Sequence, residues 1–202
     1  MNYGNLRTHF KNLLNRTDIT DDLSNTFIDQ GITRIQRSLR IPSMEKQHVY
    51  TITASTSKVT LPNDFLEIID LIYDNHTLTR LDMGMMQDYI KTGQTGSPHY
   101  FVREGGSLLL HPIPSSGSLA LNYYAQYTDL VSDSDTNVLT DIASDVICYA
   151  ALVYASDYFL DERRDTFEAA YLYHITEIQE QANSAETVGT VTQMKSAYPL
   201  NL

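Results

Sequence analysis

Apolar residues recur every three or four positions along the first forty residues, which is the spacing of an amphipathic helix. Residues 3–14 carry one such stripe and residues 23–39 carry a second. A polar stretch separates the two, and Asp18 or Thr20 suits the N-cap of the second helix. Pro42 ends this helix, because proline disfavours helical geometry at the residue before it. The pattern therefore predicts two N-terminal helices.

From residue 48 to residue 127 the pattern changes to the alternation that is typical of β-strands. The stretch FLEIIDLIYDNHTLTRL predicts a hairpin around Asn75 and His76, because asparagine tolerates the positive φ of tight turns. A short helix follows, and it is expected to end at Gly93.

Two glycine turns set the strand register that we expect in the second half of this region. A turn at Gly105-Gly106 and another at Ser116-Gly117 would join three consecutive strands into one antiparallel sheet. The rows of side chains that cross this sheet are then Phe101–Leu110–Tyr123 and Val102–Leu109–Tyr124.

The same register separates two histidines that stand close in sequence. His99 lies on the face of Phe101 and His111 lies on the opposite face, because strand side chains alternate. In this register the two imidazoles cannot share a metal ion, whereas a three-residue loop would bring them together. Turns and packing account for the stretch without reactive chemistry.

The last third of the chain returns to helical spacing. Residues 140–160 and residues 167–182 each carry an apolar stripe, and the short connector DERRD joins them. A link of this length favours an antiparallel helical hairpin. Beyond residue 184 the chain is polar and unpatterned, which predicts an extended arm.

Helices from both ends of the chain thus bracket a sheet. The expected fold class is α+β: an antiparallel helix bundle of two N-terminal and two C-terminal helices, with an inserted antiparallel β subdomain and an extended C-terminal arm. The expected boundaries are 1–46 for the N-terminal helices, 47–128 for the β subdomain with its short helix, 129–184 for the C-terminal hairpin and 185–202 for the arm.

The net charge of −11 is concentrated in one segment. Residues 129–186 contain thirteen acidic residues against two arginines, so this segment carries the whole excess. Such a surface lacks the cations that bind DNA phosphates, and it repels nucleic acid. A solvated acidic face is the plainest interpretation.

The candidate reactive side chains have structural explanations. His174 and Glu177 have a spacing that di-iron sites use, but the second histidine motif of such sites is missing. Cys148, the single cysteine, lies in an apolar helix and is expected to be an inert buried thiol. Motifs for a nucleophilic serine, a phosphate loop, a dinucleotide or a zinc protease are missing too. We therefore expect no catalysis, no cofactor and no metal, and also no membrane span.

An ordered series of short segments extends from about residue 20 to about residue 180. The segments are FIDQGITRIQRSLR, LPNDFL at Leu61–Leu66, GSP at Gly96–Pro98 with Tyr100, LHPIP at Leu110–Pro114, Tyr123-Tyr124 and YAALVYASDYFLD. This series resembles the portal-to-tail adaptor family of tailed bacteriophages, whose members are also called head–tail connector or head completion proteins.

The resemblance implies a structural protein of the virion, placed at the head–tail neck and assembled in the host cytoplasm. It implies a ring, commonly of twelve copies, that docks to the portal protein and extends the DNA channel through which viral DNA is ejected. A tail or nozzle protein is then the partner on the other side. DNA passes through without specific binding, and no catalysis is implied.

Two hypotheses connect this resemblance to particular residues. The acidic helices are expected to line part of the channel, and the arm is expected to dock on the portal or on a neighbouring copy. The channel-facing candidates are Asp141, Asp145, Asp157, Glu168, Glu177 and Glu180. The apolar anchors of the arm are Tyr198, Pro199, Leu200 and Leu202.

Two other classes of function remain open at this point. One is a soluble acidic interaction module, such as a charge mimic or a regulator, that forms no ring. The other is a small glycan hydrolase that uses paired acids, for example Asp141 and Asp145. The hydrolase requires one carboxyl group in an apolar pocket with a raised pKa.

Overall fold

A computed structural model of the chain describes residues 1–53 and 56–187, with side chains as far as residue 185. The fold class is α+β, as expected. The elements in chain order are α1 (Tyr3–Leu14), α2 (Asp21–Ser38), a 3-10 turn (Pro42–Met44), β1 (Glu45–Ile52), β2 (Lys58–Thr60), β3 (Phe65–Tyr73), β4 (His76–Thr77), β5 (Thr79–Arg80), α3 (Met83–Ile90), β6 (Tyr100–Glu104), β7 (Ser107–His111), β8 (Gly117–Ala125), α4 (Val138–Ile142), α5 (Ser144–Phe159) and α6 (Arg164–Thr187).

The chain divides into two compact units. The helical unit contains Met1–Ile41 and the chain from Leu130 onward, and the sandwich unit contains Pro42–Asp129. The helical unit is therefore built from two separate parts of the sequence, and the sandwich unit is one continuous stretch between them.

Helix α5 forms the centre of the helical unit. Nine of its sixteen residues are buried, and it packs against α1, α2 and α6. Gly31 of α2 lies close to the backbone of α5, because a Cβ atom at this position would lie 3.0 Å from the backbone nitrogen of Ala151. The two predicted N-terminal helices are confirmed, and Thr20 is the N-cap of the second, accepting from the backbone N–H of Leu23.

The helix expected over residues 140–160 is wrong in one respect, because it is divided at Ala143 into α4 and α5. Asn137 and Thr140 form a capping box that begins α4 earlier than expected. The amino group of Met1 donates to the carbonyl oxygen of Thr140 at 3.0 Å, and so satisfies an acceptor that a continuous helix would use itself. As a result Ile142 is 52% exposed and does not extend the buried stripe of α5.

The predicted antiparallel hairpin of α5 and α6 is confirmed. The ring of Tyr149 lies 6.5 Å from that of Phe167, near the start of α6, and 5.5 Å from that of His174, further along. Leu160 closes α5 in the left-handed conformation with φ 54°. The expected stripe of α6 is buried or half-buried at each of its positions: Phe167, Ala170, Tyr171, His174 and Ile178.

The sandwich unit contains two four-stranded sheets that enclose one apolar core. Their strand orders are β1-β8-β3-β4 and β2-β7-β6-β5. The turn at Gly105-Gly106 gives the predicted register, which pairs Phe101 with Leu110 and Val102 with Leu109. One pair, β5 with β6, is parallel and departs from the expected antiparallel arrangement.

The second expected register is wrong, because β8 does not pair with β7. β8 lies between β1 and β3 in the other sheet, so the rows that were to continue to Tyr123 and Tyr124 end at β7. Pro112 and Pro114 lack a backbone N–H, and the N–H of Ile113 bonds to the carbonyl of Gln94, so the chain leaves the ladder here.

Two further turns differ from their predictions by a few residues. The β3–β4 hairpin turns at Asp74-Asn75, both with positive φ, and pairs Tyr73 with His76. The carboxylate of Asp74 accepts from the backbone N–H of Ser118 at 2.9 Å and fixes Asp74 in the turn. Helix α3 ends at Ile90, so Gly93, with φ 62°, lies beyond the helix.

Candidate interaction surfaces

The two histidines of the β6–β7 hairpin lie on opposite faces, as the register predicts. His99 is exposed, whereas His111 is 2% exposed and its ring lies 5.5 Å from the ring of Tyr89 in α3. Burial lowers the pKa of His111, which favours the neutral imidazole. Within the described residues, no cluster of histidine, cysteine or carboxylate side chains has the geometry of a metal site. His111 is therefore a packing residue, and His99 is a surface residue.

The LPNDFL segment forms a structural tie in the sandwich unit. The carboxylate of Asp64 accepts from the hydroxyl of Tyr123 at 2.9 Å and from the ammonium of Lys46 at 2.7 Å. Burial, and to a lesser extent the hydrogen bond to Asp64, raises the pKa of Tyr123 to about 12. Phe65 stacks on the same tyrosine ring, with 5.8 Å between ring centroids. The segment therefore joins β1, β3 and β8, and its role is architectural.

Cys148 is an inert thiol, as the sequence predicts. Its side chain is completely buried in α5, and burial together with the charge of Asp145 raises its pKa to about 12. A thiol with this pKa contains very little thiolate at neutral pH, and a nucleophile or metal ligand needs the thiolate.

Most of the acidic channel candidates lie on the surface of the helical unit. The side chains of Asp141, Asp145, Asp157 and Glu177 are each more than half exposed, and Glu180 is exposed as well. Asp141 accepts from the amino group of Met1 at 3.0 Å. Asp157 bonds to Arg164 across the α5–α6 turn. These neighbours neutralise only part of the acidic charge of the surface.

A groove on this surface brings three of the candidates together. It has a volume of about 500 Å³, and its lining includes Asp145, Glu177 and Glu180. His174 lies between the first two, with Nδ1 3.8 Å from Asp145 and 3.4 Å from Glu177. Ile142 adds an apolar wall. The groove offers negative charge beside apolar contact, which suits a cationic side chain of a partner.

Glu168 has a different environment from the other candidates. It forms a two-point hydrogen bond with the guanidinium of Arg34, which also lies over the ring of Tyr171 at 4.1 Å. The bond to Arg34 lowers the pKa of Glu168. Both charged side chains are about three-quarters buried, so the pair fastens α6 to α2.

Three carboxyl groups with lowered pKa values do not suit the role of a general acid. Hydrogen bonds to Arg163 lower the pKa of Asp161 to about 2, and the pKa of Asp64 and of Glu168 is lowered too. A general acid of a glycan hydrolase needs the opposite displacement.

Two features of the structure have no counterpart in the predictions from sequence. The first is an open sheet edge, since β1 is the outer strand of its sheet and six of its eight residues, all except Tyr50 and Ile52, are exposed. The second is an amide contact in which Gln179 accepts from the backbone N–H of Arg40 at 3.0 Å and donates to its carbonyl at 2.7 Å. Both depend on tertiary placement, which no local pattern reveals.

The arm anchors Tyr198, Pro199, Leu200 and Leu202 lie outside the described residues. In the described part of the chain, no helix combines the length and the apolar character that crossing a bilayer requires.

The comparison with known families agrees with this inventory of packing residues and surfaces. The family profile described as SU10 adaptor protein matches residues 1–194. Among curated proteins, none matches the chain. A structural adaptor family is not an enzyme class, which fits the architectural roles of the side chains. Because the match covers nearly the whole sequence, the chain belongs to the SU10 adaptor protein family, a family of bacteriophage adaptor proteins.

Proposed function

We propose that this protein forms a ring that docks to the phage portal, extends the DNA channel and joins the head to the tail or nozzle. The observation that carries the proposal is the family match over residues 1–194. An adaptor family implies contact with portal and tail proteins, and a component of the virion. A closed ring, commonly of twelve copies, is the arrangement that lets one chain encircle DNA.

The acidic surface of the helical unit supplies the proposed channel wall. Asp141, Asp145, Asp157, Glu177 and Glu180 are exposed, and the wall rests on these five because Glu168 is engaged by Arg34. A wall with few cations releases no counterions from DNA phosphates and so does not retain the DNA. Its negative potential keeps the moving duplex away from the protein surface.

The C-terminal arm supplies the proposed attachment to the portal. Tyr198, Pro199, Leu200 and Leu202 combine an aromatic ring with aliphatic side chains, and such residues fill pockets at the centre of an interface. Replacing Tyr198 and Leu200 by alanine should weaken docking to the portal protein, because it removes two of these apolar anchors.

The assembly experiment is electron microscopy of this chain mixed with its own portal protein. We expect a closed ring beneath the portal, with the helical unit's acidic helices facing the lumen. A chain that binds no portal and forms no ring overturns the proposal. In that case the acidic surface favours the alternative, an interaction module that binds a basic partner with strong salt dependence.

The channel wall has a separate test with a matched control. Asp141→Asn, Asp157→Asn and Glu180→Gln together remove three exposed charges from the proposed wall. The control, Asp22→Asn, Asp88→Asn and Glu104→Gln, removes three exposed charges elsewhere. We expect assembled rings of the first variant to retain DNA in a filter-binding measurement, and rings of the control to behave as the unmodified protein. Equal retention by the two variants contradicts the wall.

A further inference from the structure

Strand β1 presents a long and regular free edge. It pairs with β8 over eight consecutive residues without a register shift, from Glu45 opposite Tyr124 to Ile52 opposite Gly117. Its other side forms no hydrogen bond within the described residues, and Val49 at its centre is 54% exposed. An unpaired row of backbone N–H and C=O groups of this length is a template for a further strand.

The other sheet edges of the sandwich unit are blunted. The outer strands β4 and β5 have two residues each, and β2 has three. Short edges are a usual protection against unwanted strand pairing. β1 lacks this protection, and it contains neither proline nor glycine to interrupt pairing. The contrast indicates that β1 is meant to receive a partner.

We propose that β1 of one copy receives residues 188–195 of a neighbouring copy as an added antiparallel strand. The proposal rests on the ring proposed above and specifies how its copies are joined. Backbone hydrogen bonds provide the attachment, and alternate side chains provide its specificity.

The composition of residues 188–195 suits this position. The stretch VGTVTQMK contains four β-branched residues, Val188, Thr190, Val191 and Thr192, and no proline. The short edge strands of the unit cannot match eight residues, so an extended segment is the fitting occupant. The family match also extends seven residues beyond the end of α6, to residue 194.

One antiparallel register matches the side chains on both faces. On the outer face it sets Glu45 opposite Lys195, Gln47 opposite Gln193 and Val49 opposite Val191. On the other face it sets Tyr50 opposite Thr190. Opposite charges and β-branched neighbours are favourable cross-strand pairs. A slip by one residue would exchange the faces and separate Glu45 from Lys195.

Among residues 1–53 and 56–187, β1 has no partner on its outer side, and the ring proposed above sets a neighbouring copy beside each chain, so we assign the donor to a second copy. Each copy has one such edge to fill and one such segment to give. Head-to-tail exchange therefore satisfies every copy once the ring closes.

The test is a set of cysteine pairs in the full-length chain, with Cys148→Ala as background. Consecutive cross-strand pairs alternate between wide and narrow spacing, so both Val49→Cys/Val191→Cys and His48→Cys/Thr192→Cys are made. The control is Val49→Cys/Thr192→Cys, whose thiols face opposite sides. In rings assembled on the portal and mildly oxidised, we expect at least one matched pair to form covalent ladders between copies about tenfold faster than the control, because disulfide geometry is restrictive.

Every other outcome overturns the inference. Matched pairs that react no faster than the control exclude the register, and a disulfide within one chain excludes exchange. Cross-links from β1 to the portal or tail protein would show that one of those proteins, and not a neighbouring copy, occupies the edge. Rings that assemble without the ladder overturn this inference alone, whereas a chain that never forms rings overturns the proposed function with it.

A charge exchange provides a second readout. Glu45→Lys and Lys195→Glu should each weaken ring assembly by about two- to fivefold, which is the scale of one cross-strand charge pair. The double variant should restore assembly. A double variant as weak as the sum of the two singles contradicts the pairing.

Discussion

The two units hold their interiors together in different ways. In the sandwich unit, tyrosine hydroxyls reach from the core to the backbone and to Asp64: Tyr50 donates to the carbonyl of Thr60, Tyr73 to that of Ser116, and Tyr123 to the Asp64 carboxylate. In the helical unit, small residues let helices approach closely around α5. Directional hydrogen bonds hold the interior of the sandwich unit, and close packing of complementary shapes holds the interior of the helical unit. The interior of the helical unit therefore does not depend on the charged residues of its surface.

The largest expected effect comes from Gly117 at the start of β8. A Cβ atom there would lie 2.4 Å from the hydroxyl of Tyr73, at a backbone φ of 156°. Gly117→Ala should therefore break the tyrosine tie and lower the free energy of unfolding by roughly 3 kcal/mol or more. Gly106→Ala is the control, because nothing lies within 4 Å of its added methyl group. Equal urea midpoints for the two variants would show that the directional tie contributes little.

Gly31 tests the close packing of the helical unit. Its added Cβ atom would lie 3.0 Å from the nitrogen of Ala151 and 3.2 Å from the Cβ of Ala150. Gly31→Ala should cost roughly 1–3 kcal/mol, although alanine is the better helix former. Because Cys148 is buried in this unit, its rate of modification by a thiol reagent measures the opening of the helices. Gln30→Ala on the exposed face is the matched control, and faster modification of Gly31→Ala than of this control is the expected result.

The Arg34–Glu168 pair fastens α6 to α2 in the helical unit through two largely buried charges. Glu168→Gln should lower stability by about 1 kcal/mol at neutral pH, because hydrogen bonds to charged groups contribute on this scale. The pKa of Glu168 is lowered in the folded protein from an ordinary value of 4.5. Its contribution is therefore complete above that value and disappears as the pH falls through the folded pKa. Urea unfolding of both proteins from pH 7 to pH 3 should show the difference shrinking, and a difference that stays constant would contradict the assignment.

The smallest effect is expected from the exposed acids. Asp141→Asn, Asp157→Asn and Glu180→Gln should each change the free energy of unfolding by about 0.5 kcal/mol or less, since exposed ion pairs contribute little. Thermal unfolding of the three variants checks this. A loss as large as that of Glu168→Gln would show that the charge of this surface supports the fold and is not available for a channel.

The sequence pattern predicted correctly those features that depend only on residues close together in the chain. The boundaries of α1, the Thr20 cap and the Gly105-Gly106 register all follow from spacing and turn chemistry within a few residues. The pairing of β8 with β1 and β3 could not be predicted from local pattern. Packing of the whole core decides which strands are neighbours, and a glycine turn is compatible with more than one arrangement. The division at Ala143 was hidden for a similar reason, since it involves an amino group 139 positions away.

The same distinction applies to the candidate surfaces. The acidic excess and the inert Cys148 are visible in the sequence because charge and apolar context are local properties. The different role of Glu168 depends on a partner in α2 that no spacing rule identifies. The free edge of β1 is a property of topology alone.

The amide of Gln179 has a consequence of its own. It bonds to both backbone groups of Arg40, immediately before the chain departs from the helical unit. A neutral amide neither titrates nor attracts counterions, so these two hydrogen bonds keep their strength at low pH and at high salt concentration. A partner that displaced α6 would therefore first move the backbone at Arg40, where the chain leaves the helical unit.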